Sequence, residues 1–132
     1  MTPVVWINCD SSPFVDDIML LRKTKETRTR NMLGKLEGMR VFLAETHRRR
    51  SWPSLVRCSA VIGKAIAVYS AEEWDAIRST TCIPAGSSYD WKPGTRVKYA
   101  YSLSDVQVIP VPFTPPAGRR HGYVWMECKE NL

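Results

Sequence analysis

Leu55-Val56-Arg57-Cys58-Ser59-Ala60-Val61-Ile62-Gly63-Lys64-Ala65-Ile66-Ala67-Val68 is the stretch on which the fold turns. It is too long for one flat strand, and Gly63 near its middle marks the bulge or sharp bend that small barrels use at corners. Upstream, Met39 to Glu45 sets Val41 and Leu43 on one face and Phe42 and Ala44 on the other. A strand apolar on both faces belongs inside a sheet. Gly34 and Gly38 bracket a turn before it, and Thr46-His47-Arg48-Arg49-Arg50-Ser51-Trp52-Pro53 loops out after it. Downstream, Ser70-Ala71-Glu72-Glu73 is a capping box, and Trp74 and Ile77 give the helix that follows one apolar edge.

Thr80 to Gly94 contains Pro84, Gly86, Ser87, Ser88 and Pro93, so it reads as a long loop that offers Tyr89 and Trp91. Arg96 to Tyr101 alternates, with Val97, Tyr99 and Tyr101 on one face. Val106 to Val111 is a further strand, confined by Pro110 and Pro112 to an edge or bulge, and Gly122 to Cys128 is the last. At the other end, Val4 to Ile7 is a strand. Ser11 or Ser12 caps a helix with Pro13 in its first position, Phe14, Ile18 and Leu21 share its face, and it ends near Arg22–Thr24. Lys25 to Arg30 then alternates at period two, placing Glu26, Arg28 and Arg30 on one charged face. The sum is about six strands and two short helices. This predicts a mostly β (α+β) single domain over residues 1–132, a mostly antiparallel and partly open small barrel. Regular strand–helix alternation, which a parallel α/β sheet requires, is missing.

The 132 residues are 44% hydrophobic and 24% charged, which excludes a disordered chain, a fibrous repeat and a coiled coil. Net charge is +6, but it is unevenly spread. Residues 1–21 carry −3 and residues 58–132 carry +1, whereas residues 22–57 hold eleven bases against three acids, or +8. Such a concentration suits a polyanionic partner. The four cysteines, Cys9, Cys58, Cys82 and Cys128, form no C-x-x-C pair, so buried free thiols are expected and no metal or other cofactor. The opening residues lack a signal-peptide pattern and no apolar run is long enough to span a bilayer, which predicts a cytoplasmic protein. Neither helix pairs a basic face with a large apolar one, so no membrane partner is expected.

Lys23-x-x-Glu26-x-Arg28 lies where a helix passes into a strand. A lysine, a carboxylate and a guanidinium at one rim supply an acid/base pair and an anion clamp, and the same spacing also fits an ion-pair network on a solvated strand. Arginine predominates among the nearby bases Arg22, Arg28, Arg30, Arg48, Arg49 and Arg50, which favours bidentate phosphate contact. Arg48 to Arg50 also suit a solvated loop tip.

Lys23-Thr24-Lys25-Glu26-Thr27-Arg28 resembles the G-x-K-x-x-E-x-R motif of ASCH domains, small barrels of the PUA-like superfamily. The order of the remaining pieces is similar: Gly38-Met39-Arg40-Val41-Phe42-Leu43-Ala44, then Tyr99-Ala100-Tyr101-Ser102-Leu103, Val106, Pro110 and Gly122-Tyr123-Val124-Trp125. The resemblance spans about residues 3–128. Leu21 stands at the motif's glycine, and Tyr101 at an aromatic position usually held by tryptophan. In the branch resembling acetylcytidine amidohydrolases a threonine occupies the place of Glu26, so threonine-dependent chemistry does not transfer. The resemblance implies a cleft rimmed by Lys23, Glu26 and Arg28 that suits RNA or a nucleobase-bearing ligand.

Three functions follow as expectations. The first is a binding module for single-stranded RNA or a nucleobase-bearing small molecule. Its contacts are Lys23, Glu26, Arg28, Arg30, Arg48, Arg49 and Arg50, with Trp52, Tyr101, Tyr89 or Trp91 stacking on bases. Core or surface packing is the commoner role for any one of those aromatics. The second is a small hydrolase on nucleosides or RNA, with Lys23 and Glu26 as acid/base or nucleophile. His47 and His121 are alternatives without an identifiable partner. The third is a protein-interaction domain docking through the proline-rich 110–116 segment.

Overall fold

The computed structural model describes residues 1–116 and 122–127. In chain order the elements are β1 (Thr2–Asn8), α1 (Phe14–Met19), β2 (Lys25–Arg28), a 3-10 turn (Gly34–Leu36), β3 (Arg40–His47), β4 (Trp52–Val68), α2 (Ala71–Thr81), β5 (Lys98–Phe113) and β6 (Tyr123–Met126). They form one six-stranded sheet in the order β2-β5-β4-β3-β1-β6. Only the β1–β3 pair is parallel. The sheet is the expected partly open barrel. Cys128 and His121 lie outside the described residues.

β4 is a single bent strand. Its pairing with β5 slips three times, once between Ile62 and Ala65, around Gly63. A Cβ at Gly63 would overlap Ser102 Oγ and stand 3.1 Å from Ser102 Cβ, so the bend brings the two strands too close for a side chain. β3 is buried on both faces, as its two-sided apolar pattern requires. Val41 and Leu43 join the main core with Val5, Ile7, Ile18, Ile62 and Trp74, while Phe42 and Ala44 join a smaller cluster with Val4 and Val56.

Two expectations are corrected. The strands at 96–101 and 106–111 are one strand, β5, because Asp105 adopts φ 48° and absorbs the irregularity without ending the pairing. Arg40 pairs with Asp105 and donates to its carbonyl at 3.0 Å, which holds the kink. Beyond Leu103 this strand has no β2 partner, so Pro110 and Pro112 sit where no second ladder needs their missing N–H groups. The first helix is also shorter than expected. Neither Ser11 nor Ser12 caps it; Pro13 is its N-cap residue, without a side-chain hydrogen bond. It stops at Met19 because Leu21 turns to φ 60°, after which Arg22 and Lys23 both donate their N–H groups to Asp17 O. Leu21 is thereby exposed instead of joining the helix face. At α2 the serine half of the capping box forms: Ser70 Oγ accepts from Glu73 N at 3.1 Å, while the Glu73 carboxylate accepts from Tyr69 N at 3.4 Å. No helix among the described residues is long and apolar enough to cross a membrane.

Candidate nucleotide-binding cavity

The reversal at Leu21 aims Lys23 into the protein. The carbonyl of Thr24 accepts from Leu103 N at 2.9 Å and its N–H donates to Thr80 O at 2.8 Å, tying the segment to β5 and α2. Lys23, only 2% exposed, donates from Nζ to Thr81 O at 2.7 Å. That carbonyl belongs to the last turn of α2, where free C=O groups favour a cation. The same ammonium lies 3.4 Å from Glu26 Oε1 and 4.8 Å from the centroid of the Phe14 ring.

Glu26, 8% exposed, binds Arg28 through its other oxygen, Oε2 to Nη2 at 2.9 Å. Burial alone would raise the Glu26 pKa, but the Lys23 and Arg28 charges outweigh it and hold the carboxyl below its ordinary value. It is therefore an ionised acceptor at neutral pH. Arg28 also donates to Trp6 O on β1 at 2.8 Å. β2 is one edge of the sheet and β6, beside β1, is the other. Arg28 thus spans the barrel's open seam. A Cβ at Gly122, just before β6, would come within 3.0 Å of Arg28 Nη1 and 2.9 Å of Met32 Sδ, and Gly122 has φ 89°. Glycine is needed there for both reasons.

These groups face a cavity of about 440 Å³. Lys23, Glu26 and Arg28 are its charged base, and Trp6, Phe14, Ile83 and Tyr89 form much of its wall. Arg48 and Lys98 add two more cations, and Asn8, Thr27, Thr29 and Thr46 add neutral polar groups. Among the described residues, four cations and one carboxylate line it. Lys98 donates to Tyr89 O at 2.5 Å and lies 4.8 Å from the Trp74 ring centroid. Burial pushes its pKa down, partly offset by the Asp90 charge.

The loop carrying Tyr89 is pinned by Asp90. Its carboxylate accepts from Trp74 Nε1, Arg78 Nη1 and Trp91 N, each at 2.8 Å, and from Gly86 N at 2.7 Å. Burial opposes ionisation, yet these four donors hold the carboxyl well below its ordinary value. Tyr89 meets Phe14 edge to face, centroids 6.0 Å apart at 71°. Burial raises the Tyr89 pKa, with Asp10 and Glu26 adding to the shift and Arg48 and Arg28 opposing it.

The other predicted site residues lie elsewhere. Tyr101 is 0% exposed; its hydroxyl donates to Asn31 Oδ1 at 2.8 Å and accepts from Leu33 N at 3.3 Å. It is a core residue, with no ring face open to a base. Arg30 is exposed beyond the end of β2 and does not line the cavity. Of the triple-arginine run, only Arg48 faces the cavity. Arg49 anchors its backbone N–H on Asp10 Oδ1 at 3.2 Å, and Arg50 packs its guanidinium 4.8 Å from the Trp52 ring centroid. Trp52, 52% exposed, meets His47 edge-on, and His47 pairs with Glu45 at 3.0 Å. These residues belong to a separate, shallower depression. Trp91 packs against Trp74.

Sequence reasoning missed Lys98, Phe14, Asn8 and Thr46 as lining residues; each was read as an ordinary part of its strand, helix or loop. Cys9 and Cys58 are buried free thiols pushed up to about 11, mainly by burial. Among the described residues no group of three or more His, Cys, Asp or Glu side chains is placed to hold a metal ion.

No protein-family model matches the chain, and no curated protein does. Solved structures do. Three crystal structures of ZmASCH from Zymomonas mobilis resemble it: a tyrosine-to-phenylalanine variant at 18% identity and TM-score 0.72, a serine-to-alanine variant at 19% and 0.73, and the protein without a named substitution at 19% and 0.67. Each alignment covers 96% of this chain, and 90%, 88% and 87% of theirs, respectively. With the six-stranded open barrel, the two helices and this agreement over nearly the whole length, the fold of the chain is that of the ASCH domain.

Proposed function

We propose that the protein is an RNA-binding module whose ligand site is the cavity over Lys23, Glu26 and Arg28. The observation that carries this reading is the lining itself: four cations and one carboxylate beside the aromatic rings of Phe14, Tyr89 and Trp6. Cations attract phosphate, an aromatic face stacks on an unpaired base, and an ionised carboxylate accepts from a base's amino or imino hydrogens. Bound single strands lose counterions, so affinity for a labelled single-stranded RNA, read by fluorescence anisotropy, should fall as salt rises. Tyr89→Ala should weaken it by one stacking contact, ~1–3 kcal/mol. Affinity indifferent to both salt and Tyr89 would contradict this function.

Hydrolysis is the second reading, favoured by a buried lysine–carboxylate pair 3.4 Å apart inside the cavity. Glu26, ionised, would take a proton from the water that attacks the acyl carbonyl and return it to the amino group as the C–N bond breaks, releasing carboxylate and amine, while Lys23 would hold the charge developing on the carbonyl oxygen. Turnover of N4-acylated cytidines, lost in Lys23→Met with the fold intact by circular dichroism, is the expected result. An inactive wild-type protein across an acylated-nucleoside panel removes it.

A further inference from the structure

The cavity and the basic loop divide the cations of residues 22–57 in a way that narrows the ligand. Lys23 and Arg28 are both committed to Glu26, Arg40 to Asp105, and Arg57 to Asp16 and Glu45. Arg49, outside the cavity, holds Asp10 through its backbone N–H, and Arg50 packs on Trp52. Arg48 lines the cavity, is exposed, and makes no ion pair among the described residues. Arg28, Arg48 and Tyr89 all line this one cavity. The cavity's volume, about 440 Å³, falls in the range of single small-ligand pockets, ~300–1,000 Å³. Among the described residues, Arg30, Arg49, Arg50 and Trp52 do not continue its lining, so they give a strand no basic aromatic track into it.

We infer that the cavity takes one nucleoside monophosphate unit, its base against Phe14 and Tyr89 over the Lys23–Glu26–Arg28 base and its phosphate on Arg48. This inference rests on the RNA-binding reading and sharpens it from a groove to a one-nucleotide pocket. The phosphomonoester has two possible sources, a free nucleotide or the phosphorylated end of an RNA chain. A terminal phosphate carries more charge than an internal diester and meets the guanidinium without a second ribose in the way.

The test uses the intact protein in calorimetric titrations with cytidine, adenosine, their 5′- and 3′-monophosphates, and a single-stranded RNA pentamer bearing a phosphate at its 5′ end, its 3′ end or neither. At least one monophosphate should bind about tenfold tighter than its nucleoside, the order expected for one charge-assisted contact. Arg48→Ala should erase that difference, while Arg49→Ala and Arg50→Ala leave it in place. A pentamer favoured by its end phosphate identifies the RNA terminus as the source; monophosphates bound without the pentamer identify the free nucleotide. A pentamer bound equally well with and without end phosphate, and monophosphates no tighter than nucleosides, overturn the one-nucleotide pocket but leave RNA binding standing. Binding of neither class overturns both.

Discussion

The Lys23–Glu26–Arg28 cluster and the Arg48–Trp52 loop come from the same basic quarter of the chain, yet the fold treats them oppositely. In the first, an anion is buried between two cations that are themselves tied to backbone carbonyls, Thr81 O and Trp6 O. In the second, the side chains of Arg49, Arg50 and Trp52 are exposed; Arg49 is tethered through its backbone N–H, and Arg50 and Trp52 make ring contacts at the surface. Net charge, +1 in the first and +3 in the second, does not explain the difference. Enclosure does: desolvated charges act through a low dielectric and have fixed positions, whereas exposed ones are screened and mobile.

The sharpest way to break this contrast is to remove charge from each region in turn. Glu26→Gln leaves the buried Lys23 and the half-buried Arg28 without their anion, and should cost ~3–5 kcal/mol of stability by urea unfolding. Arg49→Ala with Arg50→Ala should stay within ~0.5 kcal/mol, as exposed substitutions usually do. Equal losses in the two variants would erase the distinction.

Next in size is Asp90, which pins the cavity wall through four hydrogen bonds. Asp90→Asn should cost ~1–3 kcal/mol at neutral pH. The pKa of Asp90 is lowered on folding, so its stabilisation is present above the ordinary carboxylate value of 3.8 and is lost as pH falls through the lower folded value. The wild-type protein should therefore lose stability below about pH 4 more steeply than Asp90→Asn. Matching acid profiles would deny Asp90 this role.

The smallest effect has the opposite sign. Leu21 occupies φ 60° where the resembling motif has glycine, and it is exposed. A β-carbon in the left-handed region costs ~1 kcal/mol, so Leu21→Gly should stabilise the fold by up to that amount. A loss of stability would mean that the leucine side chain matters more than the backbone strain it imposes.

Much of the barrel was legible because its strands carry their environment in their patterns. β3 alternates two apolar sets and is buried on both faces; Gly63 marks a close approach; Ser70 and Glu73 cap α2 as their spacing demands. The site was legible in part. Period-two alternation placed Glu26 and Arg28 on one face, but it cannot say whether that face looks outward, and the direction is set by closure of the barrel against α2. Tyr101 shows the same ambiguity with the opposite outcome, its alternation leading into the core. Lys98 was not legible, because a lone lysine in an alternating strand is ordinarily solvated, and here Trp74 of α2 and the 82–97 loop cover it. The unbroken run of β5 escaped notice because an aspartate at positive φ looks, in sequence, like a turn.

The most direct test of the account is an NMR titration of the uniformly 15N-labelled protein with a short single-stranded RNA, following backbone amides. The account predicts the largest shifts at Lys23 to Thr29, Thr46 and Tyr89, with Arg49 to Trp52 little changed. Shifts concentrated at Arg49 to Trp52, with the cavity amides unmoved, would contradict it.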